Sequence, residues 1–263
     1  MTTTSRPPSP PGSATLSPAT LLAALVDLLL PGSCGGCGAP GAGWCTGCAG
    51  QLGPPRWPVL LGGPPVVAAG RYRGPLRGAV LAYKERGRRD LAGPLSALLV
   101  PLLAELAGPT GVWLVPAPSR PSAARARGGD HVLRLCRRLA RGDPGLHVSP
   151  ALRLGRRARD SVGLDAVARA ANLAGRLRVD VRALPPPGTP VVLVDDVVTT
   201  GATLRACRTA LARADCGVTG AVVLADATTG KSRRFTRMVA EKTTERRTCT
   251  DQGHSMFRSV AGL

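Results

Sequence analysis

The sequence predicts an α/β fold: a twisted, mainly parallel sheet flanked by helices, with a small four-cysteine unit ahead of it. Three observations carry that expectation. Short apolar runs alternate with helix-like segments from Val66 to Asp226, the pattern of strands joined by helical crossovers. Aromatic residues make up only 3% of a chain that is 44% hydrophobic, so Ala, Val and Leu must fill the core, which suits a sheet covered by helices. Two Cys-x-x-Cys pairs, Cys34/Cys37 and Cys45/Cys48, precede the first strand.

In chain order, residues 1–18 are polar and Pro-rich and predict a disordered tail. Ala19 to Leu30 reads as a short amphipathic helix stopped by Pro31-Gly32. Its apolar run contains Asp27 and is far shorter than the ~20 residues a membrane span requires. The Pro- and Gly-rich stretch after the cysteines separates a unit at 19–55 from a domain at 66–226. Within that domain strands are expected at Val66–Ala69, Val112–Val115, Val191–Val194 and Ala221–Leu224. Helices are expected at Leu91–Leu106, Ala123–Leu139, Leu164–Leu177 and Thr203–Ala214. Residues 227–263 lack either period and predict a basic, disordered tail, with a short helix around Phe235 to Glu241. No internal repeat is present.

The formal charge of +19, from 35 basic and 16 acidic residues, attracts polyanions: nucleic acid, anionic membrane or phosphorylated small molecules. An Arg-for-Lys bias of GC-rich coding would leave the same composition, so charge alone does not choose a partner. The N-terminus lacks a basic segment leading into an apolar stretch, which predicts a cytoplasmic protein without a membrane span.

Cys34, Cys37, Cys45 and Cys48 have the spacing with which two knuckles bring four thiolates to one cation, and glycines around both pairs permit the turns. A closed structural zinc site is the expectation, with a redox pair, disulfides or an iron-sulfur cluster as alternatives. Cys136, Cys207 and Cys216 read as small core or surface residues, and Cys249 has no assigned role.

The run Val191 to Thr203 carries the most chemistry. Four apolar strand residues lead into Asp195-Asp196, then Thr199-Thr200-Gly201, then a helix expected to begin at Thr203. Backbone N–H groups from Val198 through Ala202 to Thr203, at a helix N-terminus, suit a dianionic phosphate. Gly201 permits close approach, and Thr199, Thr200 and Thr203 add hydroxyl donors. Asp195 and Asp196 then fit two vicinal sugar hydroxyls and a hydrated Mg²⁺. The stretch lacks the Gly-Lys-[Ser/Thr] ending of a nucleotide-binding P-loop.

This run resembles the signature of type I phosphoribosyltransferases, which implies their fold and a 5-phosphoribosyl-1-pyrophosphate (PRPP) site. The resemblance implies that Asp195 and Asp196 hold the ribose 2′ and 3′ hydroxyls and that Thr199, Thr200, Gly201 and Thr203 hold the 5′-phosphate. Further pieces, Lys84 to Ala92, Val115 to Arg120, Arg127 to His131 and Arg169 to Asn172, resemble the ComF branch, which adds an N-terminal four-Cys zinc knuckle. By the same resemblance Ala117-Pro118-Ser119-Arg120 takes the place of the pyrophosphate loop, with Arg120 either contacting pyrophosphate or solvated. Gly129 departs from the branch, which has an aromatic residue there.

Lys84 is the only lysine ahead of Lys231 and suits either a phosphate contact or an ordinary surface position. Arg125, Arg127, Arg156, Arg157 and Arg159 suit a flap over PRPP, a nucleic-acid contact or a solvated loop. His131 is expected to cap or pack at its helix start rather than act as a base. Two functions follow from the resemblance. One is a Mg²⁺-dependent transferase passing phosphoribosyl from PRPP to a nitrogen acceptor. The other is a non-catalytic adaptor or sensor in DNA uptake, acting with single-stranded DNA or a helicase.

Overall fold

The structure, a computed structural model, describes residues 32–41, 43–106, 111–119, 121–155, 176–229 and 232–233. The expected N-terminal tail and helix at 19–30, Arg120, Arg156, Arg157, Arg159, nearly all of the helix at 164–177, and the C-terminal tail with its helix at 235–241 lie outside the described residues.

The sheet is built from β2 (Val66–Arg71), β3 (Val112–Pro116), β4 (Leu146–Val148), β7 (Val191–Val198) and β8 (Gly220–Asp226), in the order β2-β8-β7-β3-β4. Every pairing within it is parallel. Parallel neighbours require crossovers, and helices supply them. These are α2 (Gly74–Glu85), a 3-10 turn at Arg89–Leu91, α3 (Ala92–Ala97), α4 (Val100–Leu106), α5 (Pro121–Ala126), α6 (His131–Gly142) and α7 (Ala202–Ala212). A short α1 (Thr46–Gly50) follows the cysteines. Two small antiparallel pairs complete the fold: β1 (Trp57–Pro58) with β9 (Ser232–Arg233), and β5 (Leu152–Leu154) with β6 (Leu177–Val179). The expected mainly parallel sheet covered by helices is therefore present.

Alternation of side chains along the central strands divides the core in two. Val192, Val194 and Leu114 face α2, α3, α4 and α6, against Leu76, Tyr83, Leu95, Leu102 and Leu135. Val191 and Leu193 face α7 and the β5–β6 pair, against Leu204, Cys207, Leu211, Leu152 and Leu177. Both faces being covered, β7 and β8 read as unbroken apolar runs rather than alternating ones.

Several elements differ from expectation. The helix expected over 91–106 is broken into a 3-10 turn and two helices, and Pro94 and Pro101, which lack N–H donors, lie in their first turns. The helix expected over 123–139 is two helices, because Gly128 and Gly129 take φ of 64° and 130° and turn the chain between them. Asp130 then caps α6, its Oδ1 accepting from the N–H groups of Val132 (2.9 Å) and Leu133 (3.1 Å). Leu177 is a strand residue, not a helix end. Strand β7 continues to Val198, so both acids lie within it, and α7 starts one residue earlier, at Ala202.

Helix α2 was not anticipated, since Gly74, Pro75 and Gly78 obscure its period. Gly78 has a packing reason: a Cβ there would stand 3.0 Å from the Gly36 carbonyl oxygen, so α2 lies directly on the first cysteine knuckle. The stretch between cysteine unit and sheet is tied down as well. Arg56 exchanges backbone hydrogen bonds with Ala68 (2.9 and 2.8 Å), and its guanidinium meets the buried Asp226 carboxylate at 2.8 Å. Trp57 belongs to the core.

Leu135, fully buried on α6 against the sheet, measures how far that helix is held by packing. Leu135→Ala is expected to cost about 2–5 kcal/mol in urea-induced unfolding, the loss of a large core side chain plus its cavity.

Candidate functional site

Asp195 and Asp196 end the apolar run of β7 at the carboxyl edge of the sheet, where open α/β folds bind ligands. Because successive residues point to opposite faces, the two acids have different neighbours. Asp196 is buried on the α2 and α6 face. Its Oδ2 lies 2.7 Å from Lys84 Nζ and 2.8 Å from His131 Nε2, and its Oδ1 accepts from the Val197 N–H at 2.7 Å. Asp195 is only partly buried, and its Oδ1 accepts from the Asp196 N–H at 2.8 Å.

The electrostatics follow from this geometry. Burial opposes ionisation of Asp196, but the His131 hydrogen bond and the Lys84 charge outweigh it and hold its pKa well below the carboxylate range. Burial likewise disfavours the Lys84 ammonium, yet the Asp196 carboxylate beside it keeps its pKa above the ordinary value. Asp195 takes the opposite course: desolvation and the adjacent Asp196 charge push it up to about 8. The two acids are thus driven in opposite directions, Asp196 towards its ionised form and Asp195 towards its protonated one.

His131 extends the network to a second loop. It is buried at the first position of α6, as expected of a packed residue, with capping done by Asp130 instead. Its Nδ1 lies 3.3 Å from Ser119 Oγ, and its carbonyl accepts from Tyr83 Oη at 2.7 Å. Ser119 is held again through its N–H, which donates to Asp130 Oδ2 at 3.0 Å. Ala117, buried at the end of β3, donates its N–H to Val194 O at 2.8 Å, which sets Pro118 and Ser119 beside the acid pair. The sequence reading did not foresee that Lys84, His131, Ser119 and Asp196 meet. Its only signal was an Asp-His pair directly after Gly-Gly.

Beyond the acids, Thr199 and Thr200 are exposed, Val198 and Gly201 buried, and Ala202 and Thr203 half-buried. Gly201 takes φ of 71° and backs onto Leu60, leaving no room for a side chain. Gly201, at the N-cap of α7, brings no side-chain acceptor, and the Thr200 hydroxyl accepts from the Ala202 N–H at a long 3.4 Å. Arg205 Nη1 donates to the Thr200 carbonyl at 2.8 Å and fixes the loop from behind.

The four cysteines Cys34, Cys37, Cys45 and Cys48 form a separate cluster whose sulfurs all lie within 4.8 Å of one another. Cys34 and Cys48 stand 3.6 Å apart, and Cys37 and Cys45 3.7 Å. Four sulfurs at about 2.3 Å from one tetrahedral ion are about 3.8 Å apart, so the set fits a thiolate-bound metal. Burial disfavours a Cys34 thiolate, but backbone N–H groups of Cys37, Cys45 and Gly36 bring its pKa down to about 6. Cys136 and Cys207 are buried singly in the core, where desolvation pushes both thiols up.

No family model and no curated protein matches the sequence. Among solved structures, the chain is similar to adenine phosphoribosyltransferase from Saccharomyces cerevisiae, 15% identical, covering 52% of this chain and 67% of that one with a TM-score of 0.28. A hypoxanthine phosphoribosyltransferase from Staphylococcus aureus is 16% identical, covering 54% and 65%, with a TM-score of 0.30. The hypoxanthine phosphoribosyl transferase of Trypanosoma cruzi is 18% identical, covering 54% and 66%, with a TM-score of 0.32. At these scores the likeness carries no weight, and the architecture rests on the sheet order and register.

The raised Asp195 has a measurable consequence. Its folded-state pKa exceeds its unfolded value, so folding retains a proton that the unfolded chain has lost, and this contribution fades as pH rises towards about 8. Asp195→Asn is therefore expected to gain stability relative to the parent chain between about pH 5 and about pH 8, read from urea midpoints at each pH.

Proposed function

We propose that the chain binds PRPP at the carboxyl edge of the sheet and transfers its phosphoribosyl group to a nitrogen acceptor, releasing pyrophosphate. The observation that carries this reading is the arrangement around β7: an acid pair near its carboxyl end, the Thr199-Thr200-Gly201 turn, and the N-terminus of α7, where Gly201 brings no side-chain cap. In this reading the 5′-phosphate takes the N–H groups and hydroxyls from Val198 to Thr203. Pro118, Ser119 and Arg120 take the pyrophosphate side, as their resemblance to the pyrophosphate loop implies.

The two acids then divide the work. Asp195, the more exposed, accepts from the ribose hydroxyls. Asp196 keeps Lys84 and His131 in position and, through His131, Ser119. Mg²⁺ bound with PRPP would neutralise charge on the departing pyrophosphate, and the Asp195 carboxyl, ionised once the cation displaces its proton, would be the hard oxygen donor this chain offers it. Loss of pyrophosphate leaves positive charge on the ribose ring, so positioning and electrostatics, rather than an added acid or base, supply the catalysis. The zinc expectation belongs here too: Cys34, Cys37, Cys45 and Cys48 would hold a structural Zn²⁺ that keeps the knuckles folded against α2.

A second reading has its own support. With Asp196 engaged by Lys84, His131 and the Val197 N–H, a single acid is left for two ribose hydroxyls. That arrangement suits a ComF-like PRPP-fold adaptor or sensor, with DNA or a DNA-processing protein as its partner.

Calorimetric titration with PRPP and Mg²⁺ tests the first reading. The parent chain is expected to bind, and Asp195→Asn to weaken binding by about tenfold or more, the scale of a lost charge-assisted contact; no PRPP binding by the parent chain would sink the transferase reading. Binding without base-dependent pyrophosphate release would favour the sensor. Metal analysis after Cys34→Ser/Cys45→Ser is expected to lose about one equivalent of zinc.

A further inference from the structure

Helix α6 offers the candidate site only its first turn. Further along, Arg134, Arg137, Arg138 and Arg141 recur three and four residues apart and so share one helix face. Opposite them stand Arg89 of the 3-10 turn and the small residues Gly93 and Pro94 of α3. Together these close a cleft of about 590 Å³.

The charge in this cleft is not balanced by the protein. Of its two carboxylates, Asp90 is paired with Arg88 at 2.7 Å, and Asp130, which accepts from Val132, Leu133 and Ser119 N–H groups, is one charge against five arginines. Arg89 and Arg134 donate to backbone carbonyls, of Arg127 at 3.1 Å and Gly128 at 3.3 Å, which orients them without neutralising them. The ion pairs among the described residues do not include Arg137, Arg138 or Arg141. The backbone is shaped to this arrangement, since a Cβ on Gly128 would overlap the Arg89 guanidinium. Arginines three and four residues apart on α6 are surface neighbours, about 5–6 Å between Cβ atoms and inside the screening length of about 8 Å, so they repel one another, and a multivalent anion removes that repulsion.

We propose that the cleft between α3 and α6 is a second anion site that binds a linear oligophosphate chain. The planar forks of arginine match phosphate oxygens two at a time. From Arg134 to Arg141 the helix face runs about 10 Å, the reach of several linked phosphates rather than one. The lining contains no aromatic residue, so the cleft lacks the stacking platforms on which single-stranded nucleic acid is held. The site is independent of the PRPP reading, although Asp130 belongs to both places, lining the cleft while holding the Ser119 N–H.

The test is calorimetric titration of the full chain with inorganic tripolyphosphate, then with ATP and with a single-stranded DNA oligonucleotide. Arg137, Arg138 and Arg141 are exposed, so R137A/R138A/R141A is expected to keep its fold, checked by its thermal transition. That variant is expected to weaken tripolyphosphate binding by about tenfold or more, while the exposed pair R182A/R213A stays within about twofold. ATP binding that matches tripolyphosphate assigns the cleft to nucleoside polyphosphates, and much weaker ATP binding assigns it to inorganic chains; both support the site. Unchanged affinity in the triple variant, an equal loss in R182A/R213A, or DNA binding far tighter than tripolyphosphate through the same arginines would overturn it.

Discussion

One buried carboxylate organises the ligand edge of this protein. Asp196 sits inside β7, out of water, where an unpaired charge would be costly. Lys84 from α2 and His131 from α6 meet it there, so two helices and the central strand share a single ionic contact. His131 in turn carries the constraint to Ser119 on the loop after β3. Geometry at the sheet edge thus depends on how two crossovers converge on one oxygen atom, and desolvation, together with the charge that Asp196 retains, pushes Asp195 towards its protonated form.

The cysteine unit is fastened by complementary means. Gly78 lets α2 press against the first knuckle, Gly35 and Gly43 pack on Leu91, and Arg88 donates to the Ser33 carbonyl at 2.6 Å. Helix α2 therefore carries Lys84 to the ligand edge near one end and supports the four sulfurs along its flank. A metal-stabilised knuckle would in this way brace the element that positions Lys84, although the sulfurs and the acid pair form two distinct clusters.

Arginines serve three separate purposes here. Arg56 neutralises the buried Asp226 and ties the chain ahead of β2 to the end of β8. Arg205 steadies the Thr200 turn through a carbonyl. Arg137, Arg138 and Arg141 of α6 enter no ion pair among the described residues, and their charge is directed outward into the α3–α6 cleft. An excess of +19 is therefore not one uniform basic surface but a set of local arrangements.

Much was legible in the sequence because it was local. Uninterrupted apolar runs announced β3, β7 and β8, since strands buried on both faces need no alternation, and the Cys-x-x-Cys spacing announced a cluster because each knuckle is closed by its own glycines. The acid pair and Thr-Thr-Gly turn were equally visible, being contiguous. Helix α2 and the break at Gly128-Gly129 were not, because glycine there answers to a neighbouring element or a turn rather than to helix periodicity. Tertiary structure alone decided that Asp195 and Asp196 are unequal. The strand turns them to opposite faces, and residues 112 and 65 positions away in the chain, Lys84 and His131, reach only one of them.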